Sequence, residues 1–154
     1  VIDAYLYLLL EKSQIPVERM DAVVASSIFH RGQYRAVLKL ILRELSVIWN
    51  DGATRGSICR CPVNVGGHWL LVVVRSDHRN IVVIDPMGQE KAYERRLLRN
   101  WRNFLKAKKA SQRNWTVISL PHLNQQDSSS CGVLILKVQG TQTQMFLNQS
   151  NGNL

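Results

Sequence analysis

The sequence holds 154 residues, enough for one domain with a sizeable core, since a chain of this size removes about 70% of its unfolded surface from water. With 45% apolar and 20% charged residues, disorder throughout is excluded, and no run approaches the ~20 apolar residues of a membrane span. Twenty Lys and Arg against 11 Asp and Glu give a net charge of +9, which favours acidic partners (nucleic acid, an anionic membrane surface, an acidic protein) without choosing among them.

The chain starts with an apolar run, Val1 to Lys12, that reads as part of a helix. It has no basic leader or small-residue cleavage site, so it is not a signal peptide, and an initial Val suits a chain that begins partway through a longer protein. Val23 to Phe29 reads as a strand or a loop. Gln33 to Trp49 has apolar residues at helical spacing, with one buried face, and Asp51-Gly52 ends it. Ser57 to Val65, His68 to Val74 and Ile81 to Asp85 read as strands. The last two form a hairpin across the polar segment Arg75 to Asn80. Their consecutive apolar positions predict a sheet covered on both faces.

Gln89 to Ala110 returns to helical spacing, with Tyr93, Leu97, Leu98, Trp101 and Leu105 on one side. Asn114 to Leu120 is a further strand, closed by Pro121. A polar loop, Gln125 to Ser130, leads into Cys131 to Val138, whose apolar content suits a buried helix or strand. Residues 140–154, rich in Gln, Asn, Thr, Ser and Gly, read as a flexible polar tail. The domain is therefore expected over 1–139.

Three segments carry residues fit for chemistry: Gly66-Gly67-His68-Trp69, Ile84-Asp85-Pro86, and Gln125 through Gly132. A thiol nucleophile needs a base, a group that orients the base, and donors for an oxyanion. The hairpin turn centres near residue 77 or 78, so residues whose numbers sum to about 155 face each other. His68 and Asp85 then lie within one diagonal, at the same end of the hairpin, where side chains can touch. Asp85 can hold the His68 ring in one tautomer and leave its other nitrogen to face a thiol. Pro86 ends ladder pairing beside it. If the segment after the three serines is a helix, Cys131 lies in its first turn, where free amides and the dipole favour thiolate.

Taken singly, such a His, Asp or Cys is more often an edge residue, a turn former or a buried small hydrophobe. Together, Gly67-His68-Trp69, the strand ending in Asp85, and Gln125 through Cys131-Gly132 resemble the ubiquitin-like-protein-specific proteases, the Ulp/sentrin family of cysteine peptidases. The order His, Asp, Cys matches, as does a Gln six residues before the Cys. The resemblance implies an α+β, papain-like fold in which a mixed sheet packs against a helix bearing the nucleophilic Cys. It implies Cys131 as nucleophile, His68 as general base and acid, Asp85 as the orienting group and Gln125, rather than Gln126, as oxyanion donor. Trp69 would cover the tunnel for the modifier's Gly-Gly end, where a flat aromatic lid suits two residues without side chains; its bland alternative is core packing. The implied reaction is hydrolysis after the C-terminal Gly-Gly of a SUMO- or NEDD8-type modifier, with no metal or organic cofactor. The implied partners are the modifier and its conjugates.

The sequence departs from the family pattern in Ser130, where many members have Asp, and in the polar tail after Val138. A Trp-Leu-Asn-Asp-like segment would precede Val1. Two rivals remain: a same-clan acetyltransferase, disfavoured by the absence of a recognisable coenzyme A motif, and a diverged, non-catalytic domain that binds a modifier or nucleic acid.

Lys91 to Arg113 holds nine Lys and Arg residues. A solvated helix face is favoured over a nucleic-acid site, because no stacking aromatics or nucleic-acid motif accompany them; such a face can also steer an acidic modifier. Cys59 and Cys61 share one face of a strand and are expected to be buried rather than metal-bound, since a structural zinc site needs a second ligand pair. Asn64 is a loop cap or a substrate contact. Three cysteines, an odd number, argue against a disulfide framework and for a reducing intracellular compartment, nucleus or cytoplasm.

Overall fold

We describe residues 17–33, 35, 58–76, 78–109 and 113–119 of a computed structural model of the chain. Five strands make one mixed sheet in chain order: β1 (Val17–Arg19), β2 (Ile58–Asn64), β3 (Trp69–Arg75), β4 (Asn80–Ile84) and β5 (Thr116–Ser119). The β2–β3 and β3–β4 pairs are antiparallel hairpins, and the two outer pairs are parallel. Leu71 pairs with Ile84, Val73 with Val82 and Arg75 with Asn80, the register that the turn position requires.

Alternation along the strands sorts the apolar residues onto two faces. Cys59, Cys61, Val63, Leu70, Val72, Val74, Ile81 and Val83 point to one side, where helical residues complete a core. Ile58, Leu71, Val73, Val82 and Ile84 point to the other and are equally buried. Among the described residues that second cluster consists of strand residues alone. Burial on both faces accounts for strands that read as unbroken Val, Leu and Ile. Arg60 lies buried on β2, and desolvation pushes its guanidinium down to about 10, so it remains charged at neutral pH.

The first core is closed by α1 (Ala22–Ser26), the π-helical turn Ser27–Arg31 that continues it, and α2 (Glu90–Ala107). Here the expectation of a strand or loop over Val23 to Phe29 is corrected to helix. The Asp21 carboxylate accepts the amide protons of Val23 at 2.8 Å and Val24 at 3.3 Å, capping the first turn. Ala22, Ala25, Ile28 and Phe29 then fall on one buried face, and this packing outweighs the β-propensity of two adjacent valines. Gly32, at φ 65°, ends the turn. A Cβ there would also stand 3.2 Å from the Asn100 side-chain oxygen.

On α2 the core face is Leu97, Asn100, Trp101, Phe104 and Leu105, so Tyr93 and Leu98 lie at its margin rather than inside. Trp101 stacks on Phe29 at 5.2 Å and meets Trp115 edge-on at 5.4 Å. The Asn100 amide donates to the Phe29 carbonyl at 2.6 Å, matching a carbonyl that the end of the π-helical turn would otherwise leave open. The segments expected at Val1–Lys12, over nearly all of Gln33–Trp49, and everywhere beyond Ser119 lie outside the described residues.

Candidate active site

The β2–β3 turn sets the position of His68. Gly66 and Gly67 take φ values of 82° and 90°, a region that favours glycine. The side-chain oxygen of Asn64 accepts the amide protons of Gly66 at 3.1 Å and Gly67 at 2.9 Å, and the Val65 amide donates to the His68 carbonyl at 2.8 Å. Asn64 is thus the cap of this turn. The Asn64 amide in turn donates to Ser26 Oγ at 2.9 Å, tying the same corner to α1. His68 leaves this braced turn immediately before β3.

Asp85 follows β4 directly and is fully buried. His68 Nε2 and Asp85 Oδ1 are 2.7 Å apart across the diagonal of the hairpin. Burying a carboxylate is costly unless donors match its lone pairs. Asp85 has two besides the imidazole: the Met87 amide donates to Oδ1 at 2.8 Å and the Gln89 amide to Oδ2 at 3.2 Å. Pro86-Met87-Gly88 closes a tight turn on the Asp85 carbonyl, with Gly88 at φ 71°. The Asp85 amide donates to Glu90 Oε1 at 3.1 Å, so the first residue of α2 holds the backbone of the residue it follows.

The chemistry of this pair follows from hydrogen-bond roles. An ionised carboxylate only accepts, so the imidazole nitrogen facing it, Nε2, carries the proton. Nδ1 of the neutral ring is then the basic nitrogen, and the carboxylate favours the imidazolium that forms when Nδ1 takes a proton. The His68 side chain keeps 19% of its surface exposed, which leaves the ring reachable. Tyr93, on the first turn of α2, flanks it with ring centroids 6.4 Å apart.

Of the five residues singled out from the sequence, His68 and Asp85 are brought together. Trp69 opens β3, partly exposed, against the second apolar cluster, so it has core contacts as well as an exposed part. Gln125 and Cys131 lie outside the described residues. Glu90 and Tyr93 were not recognised as site residues; the signal available was an acid in the first turn of the helix that starts after Asp85. Cys59 and Cys61 are buried on the same face with sulfurs 3.8 Å apart, both as free thiols. Burial first, then the Cys59 hydrogen bond, pushes the Cys61 thiol up, which disfavours its thiolate. Among the described residues no group of three His, Cys, Asp or Glu side chains could hold a metal ion. Likewise among them, no helix is long and apolar enough to cross a membrane.

Among the described residues, a mixed sheet hands a buried carboxylate to a histidine at a hairpin end and packs helices on one face, which defines an α+β domain. The family model for the C-terminal catalytic domain of the Ulp1 protease family matches residues 54–150, and the chain belongs to that family. The matched span includes His68, Asp85, Gln125 and Cys131.

Solved structures agree on the fold. The C-terminal Ulp1 protease domain in complex with Smt3, the yeast ortholog of SUMO, is similar at a TM-score of 0.71 and 16% identity, over 93% of this chain and 64% of that one. A Ulp1-like SUMO protease catalytic domain of Chaetomium thermophilum gives 0.60 at 14% identity, over 90% and 55%. A Cys-to-Ala mutant of Xanthomonas XopD gives 0.60 at 17%, over 96% and 80%. The chain thus spans a little under two thirds of the yeast domain. No curated protein matches the sequence.

Proposed function

We propose that this domain is a cysteine peptidase that hydrolyses the bond after the C-terminal Gly-Gly of a ubiquitin-like modifier, in conjugates or precursors. The observation that carries the reading is the 2.7 Å contact from a fully buried Asp85 to His68 Nε2, which leaves Nδ1 as the base. Family membership supplies the thiol chemistry. With Cys59 and Cys61 buried in the core, Cys131 is the cysteine left for nucleophilic work.

In this reading His68 Nδ1 takes the Cys131 thiol proton. The thiolate then adds to the terminal glycyl carbonyl, and its oxyanion accepts hydrogen bonds from Gln125 and the Cys131 amide. The C–N bond breaks, and His68 gives its proton to the leaving amine. Water, deprotonated by His68, hydrolyses the thioester and restores the thiol. Trp69 lies over the glycines. A SUMO-type modifier is favoured over a NEDD8-type one, on the likeness to a domain solved with Smt3.

The test mixes the protein with modifiers bearing a C-terminal vinyl sulfone, singly, and reads adduct mass. A one-to-one adduct with a SUMO-type probe, abolished in Cys131→Ser and strongly slowed in His68→Ala, is expected. A folded protein that captures no probe would sink the peptidase reading, and capture of a NEDD8-type probe alone would reassign the substrate.

A further inference from the structure

The basic segment after the active site forms an ordered surface. Between Lys91 and Lys109 the exposed cations are Lys91, Arg95, Arg99, Arg102, Lys106 and, just past the helix end, Lys109. At about 100° per residue, the five on α2 fall within an arc of about 80°. At 1.5 Å per residue they make a stripe about 22 Å long. The other exposed residues of the span, Ala92, Asn103 and Ala107, are uncharged. Among the described residues no carboxylate pairs with any of the six cations. Arg102 is braced by donating from Nη2 to the Trp115 carbonyl at 2.6 Å.

Helix stability does not account for this arrangement. Lys91 and Arg95, Arg95 and Arg99, and Arg102 and Lys106 are like charges four residues apart, which oppose helix formation. Lys91 stands in the first turn, where the dipole disfavours a cation. A face selected only for solvation would mix signs. The stripe instead presents evenly spaced positive charge to something outside the molecule.

The partner must be anionic and must need no apolar anchor. Protein interfaces are anchored by buried aromatic and Arg side chains packed in largely apolar, desolvated pockets; this face offers arginines but no apolar surround, since among the described residues the large exposed hydrophobics are Val23 and Met87, neither on α2. A phosphodiester chain needs only cations, because its binding is driven by counterion release. We propose that the exposed stripe of α2 docks the phosphate backbone of nucleic acid, without regard to base sequence. This reverses the preference for a merely solvated face. It does not rest on the peptidase reading, since a Cys131→Ser protein would bind equally.

The test is fluorescence anisotropy of the whole chain with labelled 20-mers (single-stranded DNA, duplex DNA, single-stranded RNA) over a salt series. Binding is expected to weaken with salt. The Arg95→Glu, Arg99→Glu double variant should bind roughly tenfold more weakly at low salt, with its salt slope reduced by about 0.9 per lost contact on duplex and 0.7 on single strands. The control is Arg31→Glu with Arg35→Glu, an equal charge change on or just after the π-helical turn packed against the buried side of α2; it should bind nearly as the parent does. Arg95→Lys with Arg99→Lys should retain binding. Equal weakening in both charge-reversed variants, absence of binding at low salt, or displacement of the oligonucleotide by polyglutamate at matched charge would each overturn the proposal. The last would point to an acidic protein.

Discussion

A carboxylate taken fully out of water must find its compensation in donors, and those of Asp85 come from three directions: the hairpin, the tight turn and the start of α2. Replacing it by Asn keeps the size but can turn an N–H toward His68 Nε2. The ring then favours the tautomer with its proton on Nδ1, and the base is lost. Asp85→Asn is expected to lower the rate of probe capture by roughly 10²–10⁴-fold, read by mass spectrometry against the parent protein. A loss of less than threefold would show that His68 does not depend on this carboxylate. The contact itself was legible in the sequence, because a hairpin of known turn centre fixes which residues oppose each other. The amides of Met87 and Gln89 and the Glu90 carboxylate were not. They depend on how the chain turns after Pro86, which side-chain types do not encode.

At the scale of elements, β3 and β4 were readable as short unbroken apolar runs bounded by turn residues, and α2 because its apolar residues repeat at a period of 3.6. The helix at Ala22–Ser26 was not, because its two valines suggested strand and its length gave little periodicity; the Asp21 cap was the overlooked cue. The three-residue β1 gives no pattern at all, as it depends on pairing with β2. The β2–β3 turn offers a clean test of how an element positions chemistry. A Cβ on Gly67 would meet nothing within 4 Å, so substitution there strains only the backbone. Gly67→Ala is expected to destabilise the protein by about 1–2 kcal/mol and to slow probe capture beyond that, because His68 is the next residue. Chemical denaturation together with capture rates measured under fully native conditions separates the two effects. A stability loss with unchanged capture would mean that the turn does not set the ring's position.

For the whole molecule, the two apolar faces of the sheet were predictable from unbroken apolar strands, whereas the elements that complete the site beyond Ser119 lie outside the described residues. One global property is set where the π-helical turn meets α2. His30 Nδ1 is buried without a hydrogen-bond partner. Burial first, then Arg96 and Arg31, lowers its pKa below the usual 6.5. The folded state therefore takes up this proton less readily than the unfolded chain. Its contribution is neutral well above pH 6.5 and turns destabilising as pH falls through that value. The urea midpoint should drop between pH 7.5 and 5.5, and drop less in His30→Asn. An identical drop in both proteins would dismiss His30 as the cause.

The cradle around Asp85 also makes the site observable in the absence of substrate. The amide protons of Met87 and Gln89 end on the same carboxylate that holds His68, so their exchange with deuterium and their NMR shifts should track the protonation of a ring to which neither residue is bonded. Titrating those two backbone signals would follow His68 in the resting protein, and Asp85→Asn would uncouple them.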